Sequence, residues 1–151
     1  MKSVFKIPYR YIPPDSSKKF PAVKTVLSHR GRSLDFHFIS IIDSGADSSV
    51  FPAEFGEALG IDIKSVKPKI GTGSGGKSNI YYHPVDVHFE MENESYKLNC
   101  YAGFSWELAD IGLLGREDFF RLFEEVTFNQ SAETITLKNI IQLPEHKGNP
   151  Y

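Results

Sequence analysis

The stretch "FISIIDSGADSSVFP", Phe38 to Pro52, places small and polar residues directly after an apolar run. The apolar run predicts a buried strand that ends at Asp43, and "SSVFP" predicts a second short strand. A carboxylate at the end of a buried strand costs free energy unless it has hydrogen-bond partners or a chemical task. Ser44 offers a hydroxyl, and Gly45 permits a close approach of the backbone. On its own, however, Asp-Ser-Gly is also ordinary turn chemistry.

The composition is that of an ordinary globular domain. The chain has 151 residues, 40% apolar and 24% charged, with a net charge of −2, which predicts one domain and no nucleic-acid footprint. The single cysteine, Cys100, excludes an intrachain disulfide framework and favours a reducing compartment. Neither a signal-peptide core nor a membrane-spanning stretch is recognisable, so we expect a cytoplasmic protein without membrane contacts.

The two ends of the chain differ in composition from its middle. Pro8, Pro13 and Pro14 predict that residues 1–19 form an arm without regular strand pairing. Residues 20–140 carry the periodic patterns of a domain, and residues 141–151 read as an irregular tail. The sequence therefore predicts one domain between two irregular ends.

Short strands dominate the pattern between residues 20 and 140. One hairpin is predicted to turn at "RGR", with "SLDFHFISIID" as its returning strand, and the last is predicted to turn at "NQSAE". "PAEFGEALG", Pro52 to Gly60, predicts a short helix with proline near its start and glycine at its end. "REDFFRLF", Arg116 to Phe123, predicts a second one. These patterns indicate an all-β chain with two short helices, and they leave open whether the sheet closes.

The glycine-rich stretch "GTGSGGKS", Gly71 to Ser78, matches the phosphate-binding loop of nucleotide hydrolases. That loop requires a helix directly after it, because the helix N-terminus supplies the N–H groups that hold phosphate. Here residues 85–90 alternate between apolar and polar, which is strand periodicity, and Pro84 would interrupt a helix. We therefore expect no nucleotide site. A strand hairpin or a merely flexible loop remains open from composition alone.

Three motifs in order resemble the retropepsin-like aspartic proteases: "DSGAD" after an apolar strand, a glycine-rich hairpin about thirty residues later, and "IGLLGRED". The resemblance runs from Phe20 to Ile140 and implies a mainly antiparallel all-β fold, the single-lobe acid-protease barrel. It implies a catalytic Asp43 with Ser44 and Gly45. It also implies structural support from Ala46, Asp47, Leu113, Leu114, Gly115 and Arg116, including an ion pair between Arg116 and Asp47. The flap over the substrate would comprise Ile70, Gly71, Thr72, Gly73, Ser74, Gly75 and Gly76.

The chemistry of that family requires two aspartates, one ionised to activate water and one protonated to donate to the carbonyl. This chain has one Asp-Ser-Gly motif. A homodimer that pairs two copies of Asp43 across a two-fold axis would supply both. The resemblance thus implies a homodimeric endopeptidase with peptide or protein substrates and no cofactor. The alternative is a catalytically silent module of the same fold that dimerises and binds peptides.

Histidines invite a metal interpretation that the spacing does not support. His83 and His88 flank Asp86 on one predicted strand, but no tight cluster with cysteine appears. We expect these histidines at exposed polar positions of a half-buried strand, and no metal site. Cys100 lies within a strand pattern without a nucleophile motif around it, so we expect no catalytic role for its thiol.

Overall fold

The fold is described from a computed structural model, which describes residues 4–73 and 76–140. Strands take up most of this part of the chain. In chain order they are β1 Val4–Pro8, β2 Arg10–Ile12, β3 Asp15–Phe20, β4 Ala22–His29, β5 Arg32–Ser33, β6 Phe38–Ile42, β7 Val50–Pro52, β8 Lys69–Gly73, β9 Gly76–Met91, β10 Glu94–Ser105, β11 Ile111–Leu114, β12 Phe123–Asn129 and β13 Thr134–Ile140. One α-helix, α1, spans Ala53–Ala58, and 3-10 turns span Ile63–Ser65 and Phe120–Leu122.

The main sheet closes on itself. Its strand order is β5-β4-β6-β11-β7-β10-β9-β8, and β4 also pairs with β9, which closes a six-stranded barrel from β4 to β9. Most neighbours are antiparallel, but β11 runs parallel to β6, and β10 runs parallel to β7. The chain is therefore all-β, as the sequence predicts, and the closure that the sequence left open is present.

Alternation along the barrel strands separates a buried face from an outer one. On β6, Phe38, Ser40 and Ile42 are buried, whereas Ile39 and Ile41 are half-buried. On β9 the odd-numbered residues from Tyr81 to Met91 are buried, and the even-numbered ones are half-buried or exposed. Since successive side chains of a strand point to opposite faces, Asp43 follows β6 in step with the outer residues Ile39 and Ile41. This register places the carboxylate outside the barrel core.

The expectation of an unpaired N-terminal arm is wrong. Strand β1 pairs antiparallel with β13, and β2 pairs with β3. Phe5, Ile7 and Tyr9 are buried, so alternating apolar residues hold this segment against the barrel. Pro8 is tolerated because it ends β1, where the missing N–H interrupts no ladder. The C-terminal tail, 141–151, lies outside the described residues.

The local predictions have mixed outcomes. Both predicted hairpin turns and the helix of Pro52 to Gly60 are confirmed. The predicted single strand "SLDFHFISIID" is divided into β5 and β6, because Phe36 leaves the ladder and packs edge-on against Phe55 of α1 at a ring distance of 5.1 Å. The second helix is only a 3-10 turn, Phe120–Leu122. There the buried Asp118 side chain accepts from Phe119 N–H, so a side chain replaces the backbone partner that a longer helix would need.

Candidate functional site

The chain turns sharply where β6 ends. Asp43 N–H donates to Leu114 O at 3.0 Å, because β11 runs parallel to β6 and brings its last residue alongside. Ala46 N–H donates to Asp43 O at 3.1 Å, which closes the turn. Asp43 is half-buried, whereas Ser44 and Gly45 are exposed. The carboxylate therefore projects at an accessible edge of the barrel from a backbone that β11 holds in place.

The carboxylate itself is oriented by the turn. Gly45 N–H donates to Asp43 Oδ1 at 2.9 Å. A Cβ at position 45 would lie 3.2 Å from the same oxygen, closer than most real contacts of that kind. Glycine therefore permits the backbone N–H to approach the carboxylate. A fixed acceptor of this type is suited to holding a water or a polar substrate group.

A buried network supports the turn from behind. Gly115 N–H donates to Ser49 Oγ at 3.0 Å, and Ser49 Oγ donates to Asp118 Oδ1 at 2.5 Å. Ser49 N–H also donates to Asp118 Oδ2 at 2.9 Å. Burial raises the pKa of Asp118, although its hydrogen bonds from Ser49 and Phe119 oppose that rise. Several donors hydrogen-bond to this carboxylate at once, and a carboxylate is usually buried only when it has such partners.

Gly115 has no room for a side chain. A Cβ there would lie 2.4 Å from the carbonyl carbon of Ser48, 2.6 Å from its oxygen and 2.7 Å from its Cα. All three atoms belong to the backbone, so they cannot move aside as a side chain could. The loop after Asp43 and the segment after β11 are thus in direct backbone contact at this point.

Backbone and side chains both join the two segments further out. Arg116 N–H donates to Ala46 O at 3.0 Å, and Glu117 N–H donates to Asp47 O at 2.7 Å. The side chains of Arg116 and Asp47 form the predicted ion pair, between Nη2 and Oδ1. The pair is largely exposed, with 52% of the Arg116 side chain and 81% of the Asp47 side chain accessible. Nη2 is the nitrogen of Arg116 that donates to Asp47.

The glycine-rich stretch forms a hairpin of β8 and β9. The paired residues run from Lys69 opposite Ile80 to Gly73 opposite Gly76, and Ile70 is 70% exposed. A strand, not a helix, follows the stretch, as the interpretation against a phosphate loop requires. The predicted flap residues Ser74 and Gly75 lie outside the described residues.

The predicted site residues fall into two groups. One group comprises two adjoining segments, the turn and its support, which backbone bonds, strand pairing and the ion pair join: Asp43, Ser44, Gly45, Ala46, Asp47, Leu113, Leu114, Gly115 and Arg116. The other comprises the hairpin residues Ile70, Gly71, Thr72, Gly73 and Gly76. Within residues 4–73 and 76–140, no hydrogen bond joins the second group to the first.

Sequence reasoning missed four residues around the turn. Ser48 and Tyr82 share a hydrogen bond of 2.8 Å between Oγ and Oη, and Ser49 and Asp118 form the buried network. An acidic residue directly before two phenylalanines was the available signal for Asp118. For the others no local signal exists, because their partners lie 34 and 69 positions away in the chain.

The histidines and the cysteine have ordinary structural surroundings. His83 is buried, not exposed as expected, and its Nε2 donates to Ile63 O at 2.8 Å. Asp86 and His88 lie on the outer face of β9, as predicted. Cys100 is buried, and burial raises the pKa of its thiol. Across the described ranges, no three His, Cys, Asp or Glu side chains are grouped to hold a metal ion, and no helix has the length and apolar character needed to cross a bilayer.

Comparisons with known proteins address the fold. No protein-family model matches the chain, and no curated protein matches it. Among solved structures, a retropepsin-like aspartic protease from Rickettsia conorii superposes with a TM-score of 0.59 and 15% identity. The match covers 92% of this chain and 95% of that one. At this level of identity, the chain is shown to share the fold of that retropepsin-like protease.

Proposed function

We propose that this protein is an aspartic endopeptidase that works as a homodimer. The observation that carries the proposal is the Asp43 turn: a half-buried carboxylate at the barrel edge, oriented by Gly45 N–H and braced by Leu114. The shared fold with a retropepsin-like aspartic protease agrees with it. The hydrogen bond between Gly115 and Ser49 supports it further, because a catalytic carboxylate must keep its position from one turnover to the next.

The proposed reaction needs two copies of Asp43. One carboxylate takes a proton from a water, whose oxygen attacks the peptide carbonyl carbon, while the protonated partner donates to the carbonyl oxygen. The resulting tetrahedral intermediate collapses when the first carboxyl passes its proton to the nitrogen, one hydroxyl returns a proton to the second carboxylate, and the C–N bond breaks. Two adjacent carboxylates share one proton at low cost, whereas two charges side by side are costly. Each subunit contributes one Asp43, so the site forms where two chains meet on a two-fold axis.

The β8–β9 hairpin is the proposed flap. Its glycines permit close approach to a bound peptide backbone, and its strongly exposed Ile70 supplies apolar surface. Closing such a hairpin over a peptide would exclude water from the site. The proposed substrate is therefore an extended peptide or protein segment, and no nucleotide, nucleic acid, membrane or cofactor takes part in the proposal.

The dimer contact cannot rely on a free N-terminal strand. Strand β1 already pairs with β13 of its own chain, and Glu92 Oε1 accepts from Lys6 N–H on the other side of β1. The exposed Arg116 and Asp47 pair lies next to the Asp43 turn. We therefore propose that the subunits meet around the turns themselves. The buried thiol of Cys100 is compatible with the reducing cytoplasm that we propose as the location.

The test compares wild type with Asp43→Asn in a peptide-library digest between pH 4 and pH 7. Asparagine keeps the size of the side chain but removes the base from both subunits, so the rate should fall by at least about 10²–10⁴. The matched control is Asp35→Asn, which changes an exposed aspartate in another loop and should retain activity. A peptide mimic with a hydroxyl in place of the attacked carbonyl should bind wild type and not Asp43→Asn. A folded wild-type dimer that cleaves nothing would overturn the proposal and leave a peptide-binding module.

A further inference from the structure

A hydrogen bond links the strand of the hairpin to the loop of Asp43. Ser48 Oγ and Tyr82 Oη lie 2.8 Å apart. Ser48 follows Asp43 in the same loop and is 4% exposed. Tyr82 lies on β9, two residues beyond Ile80, which forms the last pair of the hairpin with Lys69. The bond therefore joins the base of the hairpin to the segment that carries the candidate catalytic carboxylate.

A glycine makes this link possible. Gly103 of β10 lies opposite Val50, two residues beyond Ser48, on one side and opposite Tyr82 on the other. A Cβ at Gly103 would lie 2.4 Å from Ile80 Cγ2, 3.3 Å from Val50 Cγ2 and 3.4 Å from Tyr82 Cε1. Side chains of β9 thus pack over Gly103, where a larger residue would collide with them. The Tyr82 ring extends across this glycine to Ser48.

The two ends of the link differ in how firmly they are held. The backbone of Ser48 packs against Gly115, and the next residue, Ser49, is bonded to Gly115 and Asp118. In contrast, β8 has an almost fully exposed pattern, and among the described strands it pairs with β9 alone. The position of the hairpin relative to the turn is therefore set at its base, where Tyr82 and Ile80 lie.

We propose that Tyr82 is a positioning residue for the proposed reaction, acting through its hydrogen bond to Ser48. The bond holds the hairpin at the height above Asp43 from which it closes on substrate. Without this hydrogen bond, a smaller fraction of the molecules presents the closed hairpin. The apparent affinity for substrate then falls in proportion to that fraction. One net hydrogen bond corresponds to about a fivefold change in such an equilibrium. The inference rests on the proposed function, since it assigns the hairpin to substrate.

The test uses the full-length chain as Tyr82→Phe, Ser48→Ala and the double variant. Each single change should raise KM, and the dissociation constant of the hydroxyl-bearing peptide mimic, by about fivefold. We expect kcat within about twofold of wild type and an unchanged pH profile, because Asp43 is untouched. The KM of the double variant should be no higher than that of the more impaired single variant, because both changes remove the same hydrogen bond. Tyr96→Phe is the control, because that hydroxyl donates to Glu94 at the opposite end of β10.

A second readout separates this inference from the proposed function. Amide hydrogen exchange at Gly71 to Gly73 and at Lys77 to Asn79 should be faster in Tyr82→Phe than in wild type, with or without catalysis. A wild type without peptidase activity would overturn the proposed function, and faster exchange would still support the link. Unchanged exchange and an unchanged KM in Tyr82→Phe, with only a lower Tm, would reduce the bond to a structural contact and overturn the inference.

Discussion

Ser49 and Asp118 share two hydrogen bonds, although they lie 69 positions apart in the chain. The hydroxyl and the backbone N–H of Ser49 donate to the two oxygens of the buried carboxylate. Because Ser49 Oγ also accepts from Gly115 N–H, one side chain ties the loop after Asp43 to the segment after β11. The position of the candidate catalytic carboxylate thus depends on a second, non-catalytic aspartate behind it.

Asp118→Asn tests how burial and hydrogen bonding compete at this carboxylate. Burial raises the pKa of Asp118 in the folded chain. In the unfolded state the pKa of an aspartate is about 3.9. The folded state therefore binds the proton more readily than the unfolded state does. This tighter proton binding stabilises the folded state in full when the pH is below the pKa of the unfolded state. The stabilisation is lost as the pH rises through the pKa of the folded state. In urea titrations, the free energy of unfolding of wild type minus that of the variant should therefore increase as the pH falls from 7 to 4. A decrease on acidification would mean that the donors from Ser49 outweigh burial.

Gly115→Ala should destabilise the protein and displace the Asp43 loop. The added methyl group would meet the backbone of Ser48 at 2.4 Å, and overpacking of this kind costs about 1–3 kcal/mol. Thermal unfolding measures the loss, and the cleavage rate reports the displacement. Gly73→Ala is the control for Tm, because no described residue lies within 4 Å of its added Cβ. Equal Tm values for the two variants would contradict the close contact.

Arg116→Ala should affect self-association more than the stability of the single chain. More than half of each side chain in the Arg116 and Asp47 pair is exposed, and exposed pairs contribute about 0–1 kcal/mol. Within the proposed dimer, the pair would lie near the subunit contact and lose access to water. Sedimentation across a concentration series should show weaker dimerisation, while urea unfolding changes little. Arg121→Ala is the control, because Arg121 forms a similarly exposed pair with Glu117; equal dimerisation of both variants would argue against the proposed contact.

The fold class was accessible from the sequence because its strands carry clear local patterns. Alternation in Val85 to Glu90 predicted β9, and the turn residues marked the hairpins. The failures arose where tertiary contacts prevailed over local signals. Prolines suggested an arm, but buried Phe5 and Ile7 hold β1 in a sheet. Phe36 continued an alternating pattern, but packing on α1 took it out of the strand.

The candidate site was predictable in part. "DSGAD" and "IGLLGRED" identified the two segments that the structure joins, including the Arg116 and Asp47 contact. Their exposure was not predictable, since burial depends on what covers a residue and not on its neighbours in sequence. The Ser49 and Asp118 network and the Ser48 and Tyr82 bond were also out of reach, because each joins residues that only barrel closure brings together.

Lys77→Ala tests the assignment of the glycine-rich stretch to a hairpin. A phosphate loop would present this lysine to the phosphates at the start of a helix, where aligned N–H groups hold the anion. Here Lys77 lies in β9, opposite Thr72 of β8, and is exposed. Calorimetric titration with ATP and Mg²⁺ should give only the heat of dilution for wild type and for Lys77→Ala, while both retain the same Tm because an exposed strand lysine contributes little to folding. Saturable ATP binding in wild type that Lys77→Ala abolishes would instead restore the nucleotide interpretation and remove the hairpin from the proposed substrate site.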